Sequence, residues 1–206
     1  MTTAIHPEVR IGHVHLTVSN LERAVKFYRD ALGFEITQRY DTSAVFLSAG
    51  GYHHHIGLNT WAGEGASPPP PGRTGLYHFA ILYPTRLELA RAFKRLFDHG
   101  VAIEGASDHG VSEAFYLDDP EGNGIEVYND RPAERWTWAD GLVVMKTNQL
   151  DIEAILDEVD RTTATYPAAP EGLRIGHVHL RVGSVAVGKA RFVMDVSCCS
   201  SMNSSK

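Results

Sequence analysis

Eleven histidines among 206 residues are the one compositional oddity of this sequence, and they are clustered. His53, His54 and His55 stand side by side, and His13 and His15 alternate within IGHVHLTV. Imidazoles grouped in this way suit metal coordination, or proton transfer near neutrality. The triplet by itself cannot hold one ion. On an extended strand His53 and His55 turn to one face and His54 to the other, so the three do not converge. His13 and His15, by the same geometry, share a face. Glu126 stands in the apolar run IEVY, where a carboxylate is costly to bury unless it is paired or bound to a metal.

The elements that carry these residues come as a repeat. Residues 11–18 are β-branched and alternating, which predicts a strand. Ser19 or Asn20 then caps a helix with Glu22 in its first turn, an apolar stripe of Leu21, Val25, Phe27, Tyr28 and Leu32, and a stop at Gly33. Strands are expected at 35–40, 44–48 and 53–59. Segment 75–130 repeats the order: strand GLYHFAILY, helix RLELARAFKRLFDHG, and strand candidates at 101–105, 113–117 and 124–128. His78 there holds the place of His13. Between the copies, four consecutive prolines, Pro68 to Pro71, predict an extended surface loop. Asp118, Asp119, Glu121 and Asn123 read as a turn and a solvated rim.

Residues 131–172 are less regular and read as a linker with one short acidic helix, LDIEAILDEVD. IGHVHLRV at 175–182 then nearly repeats IGHVHLTV, with His177 in the place of His13. The organisation expected is a two-unit domain over 9–130, the linker 131–172, a partial third unit over 173–196 and a disordered tail over 197–206. An unpaired strand-helix fragment must dock elsewhere or pair with another chain.

Composition bounds the rest. Hydrophobic residues at 43% and charged residues at 21% are ordinary for a soluble globular protein, and a formal charge of −6 without a basic run argues against nucleic acid. The two cysteines, Cys198 and Cys199, are adjacent and make no disulfide framework, which fits a reducing cytoplasm. No apolar run approaches the length of a membrane helix, and the N-terminus lacks a signal-peptide core.

HVHLTVSNLERAVKFYRDALGF, GLYHFAI and YLDDPEGNGIEVY together resemble the vicinal oxygen chelate superfamily, over roughly residues 9–130 with a partial restart at 173–196. Within it the chain is most similar to extradiol ring-cleaving dioxygenases of the catechol 2,3-dioxygenase type. The resemblance implies an α+β fold of paired βαβββ units forming a curved mixed sheet around a metal, plus the start of a third unit. It implies His13, His78 and Glu126 as ligands of Fe(II), or of Mn(II) or another divalent ion. Such a facial triad leaves positions open for both oxygens of a catechol and for O2.

The same resemblance gives Tyr116 a hydrogen bond to the substrate oxygen on the metal, makes His109 a second pocket histidine, and assigns proton transfer to His54 or His55. Two other readings stay open: a glyoxalase-like lyase, isomerase or thiol transferase, and a non-catalytic binding module. Oxygen consumption separates the first from ring cleavage, and metal content separates the second. The glyoxalase type has a glutamate ligand near the end of the 53–59 strand, where this chain has none. The expected partners are an aromatic diol and O2, with neither nucleic acid nor membrane. Self-association is expected too, because the third unit leaves apolar surface uncovered and two-unit members pair by exchanging units.

Overall fold

A computed structural model describes residues 6, 8–68, 70, 72–159 and 168–186. All but the first two residues of the expected third-unit helix, and the whole of 197–206 with both cysteines, lie outside them. Among the described residues no helix is long and apolar enough to cross a membrane.

The first unit runs β1 (Val14–Thr17), α1 (Leu21–Lys26, continued as a π turn over Phe27–Ala31), β2 (Glu35–Tyr40), β3 (Ala44–Ser48) and β4 (Ile56–Asn59). Asn20 caps α1 by accepting the Arg23 backbone N–H, and Gly33 ends the helical run at φ 82°. The strands order β1-β4-β3-β2, with β1 parallel to β4. The Thr17 hydroxyl ties the end of β1 to Asn59 Oδ1 at 3.1 Å.

The second unit repeats this as β5 (Gly75–Leu82), α2 (Arg86–Asp98), β6 (Gly105–Asp108), β7 (Ser112–Asp118) and β8 (Gly124–Asp130). A short hairpin, β9 (Trp138–Ala139) and β10 (Leu142–Val143), and α3 (Ile152–Leu156) lead to β11 (Arg174–Arg181). Here β11 does not stand alone. It pairs antiparallel with β5, giving a second sheet in the order β11-β5-β8-β7-β6. The mixed α+β architecture expected for the vicinal oxygen chelate fold is therefore formed, with the third-unit strand built into the second sheet.

Two expected strands differ. Residues 101–104 form no ladder strand: Val101 and Ile103 pack half-buried against the core, and pairing with β7 begins only at Gly105 opposite Tyr116. That run is apolar because it is covered. The fourth strand of the first unit begins at Ile56; His53 and His54 precede it, while the His55 backbone is already hydrogen-bonded to Leu47 and Val14 on either side.

Period-2 alternation gives the second sheet two unlike faces. Phe79, Ile81, Phe115, Leu117, Ile125 and Val127 enter the main core with the apolar sides of α1 and α2, and Phe93 of α2 stacks on Phe115 at 4.3 Å. Ala80, Leu82, Ala114 and Tyr128 form a small cluster on the opposite face, with Tyr116 beside it.

The turn before β8 is more than a rim. Asp119 is buried, and its side chain accepts the backbone N–H groups of Glu121 and Asn123 and the hydroxyl of Tyr28 at 2.8 Å. Glu121 accepts the backbone N–H of Ser19 and the guanidinium of Arg23. Helix α1 thus grips the turn that launches β8. Burial, then the charge of Asp119, pushes the Tyr28 phenol well above its ordinary pKa, so it remains a donor. Tyr28→Phe removes that donor from a buried carboxylate and is expected to lower stability by about 1–2 kcal/mol, read as a lower urea midpoint at unchanged slope.

Candidate metal centre

The cleft face of the second sheet is built in rows. His177 on β11 pairs with Ala80 on β5, Ala80 with Glu126 on β8, and Glu126 with Tyr116 on β7. Side chains in one row share a face, and Ala80 in the middle is small enough for its neighbours to lean across it. His78, two residues before Ala80, joins them from the same face. Gly124 sits beside His78, where a Cβ would strike the Tyr77 carbonyl, so glycine lets β5 and β8 close on each other. In β11 the register shifts between Ile175 and His177, and a side chain at Gly176 would collide with the Tyr128 hydroxyl. The Arg181 guanidinium, at the far end of β11, lies 4.7 Å over the ring of Tyr77.

The donors meet. His78 Nε2 lies 3.1 Å and His177 Nε2 3.0 Å from Glu126 Oε2, and the two ring nitrogens are 3.3 Å apart. Ligand atoms on one face of an octahedron, each about 2.1 Å from the ion, stand about 3.0 Å from one another. Two imidazoles and one carboxylate at this spacing fit a hard-to-borderline divalent ion, with the other face left to the cleft. Glu126 is only 4% exposed. Burial disfavours its charge, but hydrogen bonds from His177 and His78 and their fields win and hold its carboxyl at about 2.

A second chain of groups runs into Glu126. The Tyr116 hydroxyl is 3.3 Å from Glu126 Oε1 and 2.7 Å from His109 Nε2, while His109 Nδ1 lies 2.8 Å from the Lys146 carbonyl. A carbonyl only accepts, so Nδ1 carries the proton, and Nε2 of neutral His109 is an acceptor. Burial, then the charge of Glu126, raises the Tyr116 phenol above its ordinary value. These groups line an open cleft of about 960 Å³, with Leu76, Val111 and Met145 adding apolar wall.

His78, Glu126, Tyr116 and His109 therefore come together as the sequence suggested, but His13, His54 and His55 do not join them. The edge of β5 that β1 would need is taken by β11. His177 stands by Glu126, and His13 lies instead with His15 and His54 on the first sheet. His54 and His53 share that surface, their Nδ1 atoms 2.7 Å apart, because these two precede β4 and escape strand alternation. Burial, then the field of His13, lowers the pKa of His54. His55 turns into the core, where Nδ1 meets Ser48 Oγ at 3.0 Å and the Ala49 backbone N–H at 3.3 Å. His177 joins the set although the resemblance does not imply it as a ligand. Its signal was present, since IGHVHLRV repeats the strand that carries His13.

Comparison with known proteins bears on both fold and site. Residues 10–127 match the model of the glyoxalase/bleomycin resistance protein/dioxygenase superfamily. The chain is 43% identical over 198 residues to a catechol-2,3-dioxygenase of Bacillus subtilis (strain 168), covering 94% of this chain and 66% of that protein. It is 31% identical over 122 residues to biphenyl-2,3-diol 1,2-dioxygenase 3 of Rhodococcus globerulus, covering 59% and 63%. The chain thus spans about two thirds of the length of the curated relatives it matches. A solved glyoxalase/dioxygenase from Nostoc punctiforme superposes with a TM-score of 0.51 at 21% identity, over 64% of this chain and 99% of that one, a likeness of fold.

Two variants test the centre. Glu126→Gln is expected to weaken Fe(II) or Mn(II) binding by more than about 100-fold, and Ala80→Val, which fills the gap beneath the donors, by about tenfold. Equilibrium dialysis with metal analysis reads both. In the metal-free protein, a carboxyl at about 2 against an ordinary 4.5 gives stability that is full above about pH 4.5 and lost as pH falls toward 2. Glu126→Gln should flatten that part of the acid-unfolding profile.

Proposed function

Because the chain belongs to the glyoxalase/bleomycin resistance protein/dioxygenase superfamily, we propose that it is an extradiol dioxygenase that opens the ring of a catechol-type diol. His78, Glu126 and His177 would hold a non-haem Fe(II), or Mn(II) in its place. The observation that carries this reading is the convergence of two imidazoles and a carboxylate beside the Tyr116–His109 pair. In the overall reaction the ring bond beside a hydroxyl-bearing carbon breaks, and both atoms of O2 enter the product, a muconic semialdehyde. A bound divalent ion of this class would acidify the diol and bring it and O2 together, the electrons that reduce O2 coming from the diol itself.

The chain's own groups position the diol and manage its protons. The Tyr116 hydroxyl lies beside Glu126 in the wall of the cleft, where it can hydrogen-bond a diol oxygen. Nε2 of neutral His109 takes the Tyr116 proton as Tyr116 takes the diol's. The resulting imidazolium still donates through Nδ1 to the Lys146 carbonyl, so the ring need not turn. This gives His109 the proton-carrying role that the sequence suggested for His54 or His55. Leu76, Val111 and Met145 offer the aromatic ring an apolar wall.

The deciding experiment loads the chain with Fe(II) anaerobically and follows O2 uptake and yellow product against a panel of catechols. Uptake with coloured product is expected, and metal-loaded protein that consumes no O2 with any diol would sink the reading. Tyr116→Phe and His109→Ala are each expected to lower kcat by about 10²-fold or more while retaining bound metal. His54→Ala should not reproduce that loss.

A further inference from the structure

The first sheet carries a second convergent set of donors. His13, His15 and His54 each offer a ring nitrogen, all within 4.8 Å of one another, with His15 Nε2 and His54 Nε2 3.4 Å apart. We propose that these three imidazoles form a second metal site, for a borderline ion of the Zn(II), Co(II) or Ni(II) class.

The pseudo-symmetry of the two units explains how such a site arises. In the second sheet Ala80 pairs with Glu126 and Glu126 with Tyr116. At the matching positions of the first sheet, His15 pairs with Gly57 and Gly57 with Phe46. The carboxylate has become a glycine, and the small residue beside it a histidine. A Cβ at Gly57 would lie 2.6 Å from His15 Nε2, so the imidazole rests in the space that a side chain on β4 would fill. Phe46 backs the rings of His15 and His54 at 5.7 and 5.0 Å.

Orientation and donor chemistry agree. His54 Nδ1 is tied to His53 Nδ1, which leaves Nε2 of His54 turned toward His15, as a metal-binding imidazole is held by a partner on its other nitrogen. His13 closes the set, its ring 5.0 Å from that of His15 and 4.3 Å from that of His54. Three neutral nitrogens without a carboxylate suit Zn(II) and its neighbours over Mg(II), Ca(II) or Mn(II), and leave a fourth tetrahedral position to water. His13 and His15 are exposed and His54 half-buried, so an ion can enter from solvent.

Co(II) is the probe, because four-coordinate Co(II) has intense visible bands that six-coordinate Co(II) lacks. The full chain with His78→Ala and Glu126→Gln, folded by circular dichroism, is expected to bind Co(II) stoichiometrically with those bands. Adding His15→Ala or His54→Ala should lower the affinity at least tenfold. Gly57→Ala keeps every histidine but displaces His15, and should weaken binding similarly. Should the double variant not fold, His15→Ala with His54→Ala in the otherwise natural chain is expected to cut Co(II) capacity from two equivalents to one. Absence of the bands, or binding indifferent to His15, His54 and Gly57, overturns the proposal.

Discussion

The second sheet depends on β5 being paired along both edges. β8 lies on one side, parallel, and β11 on the other, antiparallel. That sandwich puts His78 between a strand carrying Glu126 and a strand carrying His177, and it puts Ala80 beneath the gap they lean across. Remove either pairing and the donors fall apart, since neither Glu126 nor His177 lies on the strand of His78. The lattice also decides what faces what. Alternation that sends Phe79 and Ile81 into the helix-covered core sends His78 and Ala80 into the cleft, so packing one face aims the other.

Glu126 shows how stability and chemistry are joined. A carboxylate this deeply buried is tolerable only where it is paired, and the ring nitrogens of His78 and His177 face it at 3.1 and 3.0 Å. The same arrangement keeps Glu126 ionised and ready for a divalent ion. Tyr116 feels the opposite effect: burial and the adjacent charge hold it neutral, so its hydroxyl remains a donor at the point where the cleft meets His109. Burial and one adjacent charge thus keep the proton on Tyr116.

Much of this was legible in the sequence because it is local. The Asn20 cap, the apolar stripe of α1, the amphipathic pattern of α2 and the alternation in GLYHFAIL fix elements from within a dozen residues. What was illegible is choice of partner. Nothing in the periodicity of IGHVHL says which copy reaches β5, so His13 was expected where His177 stands. Nor does a run of histidines reveal where a ladder begins. The triplet lies just before β4, and His53 and His54 end up together. Asp119 and Glu121 read as a polar turn because their partners, Tyr28, Ser19 and Arg23, are some ninety to a hundred residues away. The hold on His109 comes likewise from Lys146, in a segment with no regular pattern.

The two copies of the strand differ at one inner position: IGHVHLTV has Thr17 where IGHVHLRV has Arg181. Each of these residues engages the sheet in which its strand lies, Thr17 through Asn59 and Arg181 through the ring of Tyr77. The histidines cannot sort the strands, being common to both. Within the octapeptide the difference on which sorting can act is this one side chain; the rest lies in the chain segments that deliver each copy. Two nearly interchangeable strands in one polypeptide make assembly a problem of selection as well as stability, and the one residue by which they differ meets a different partner in each sheet.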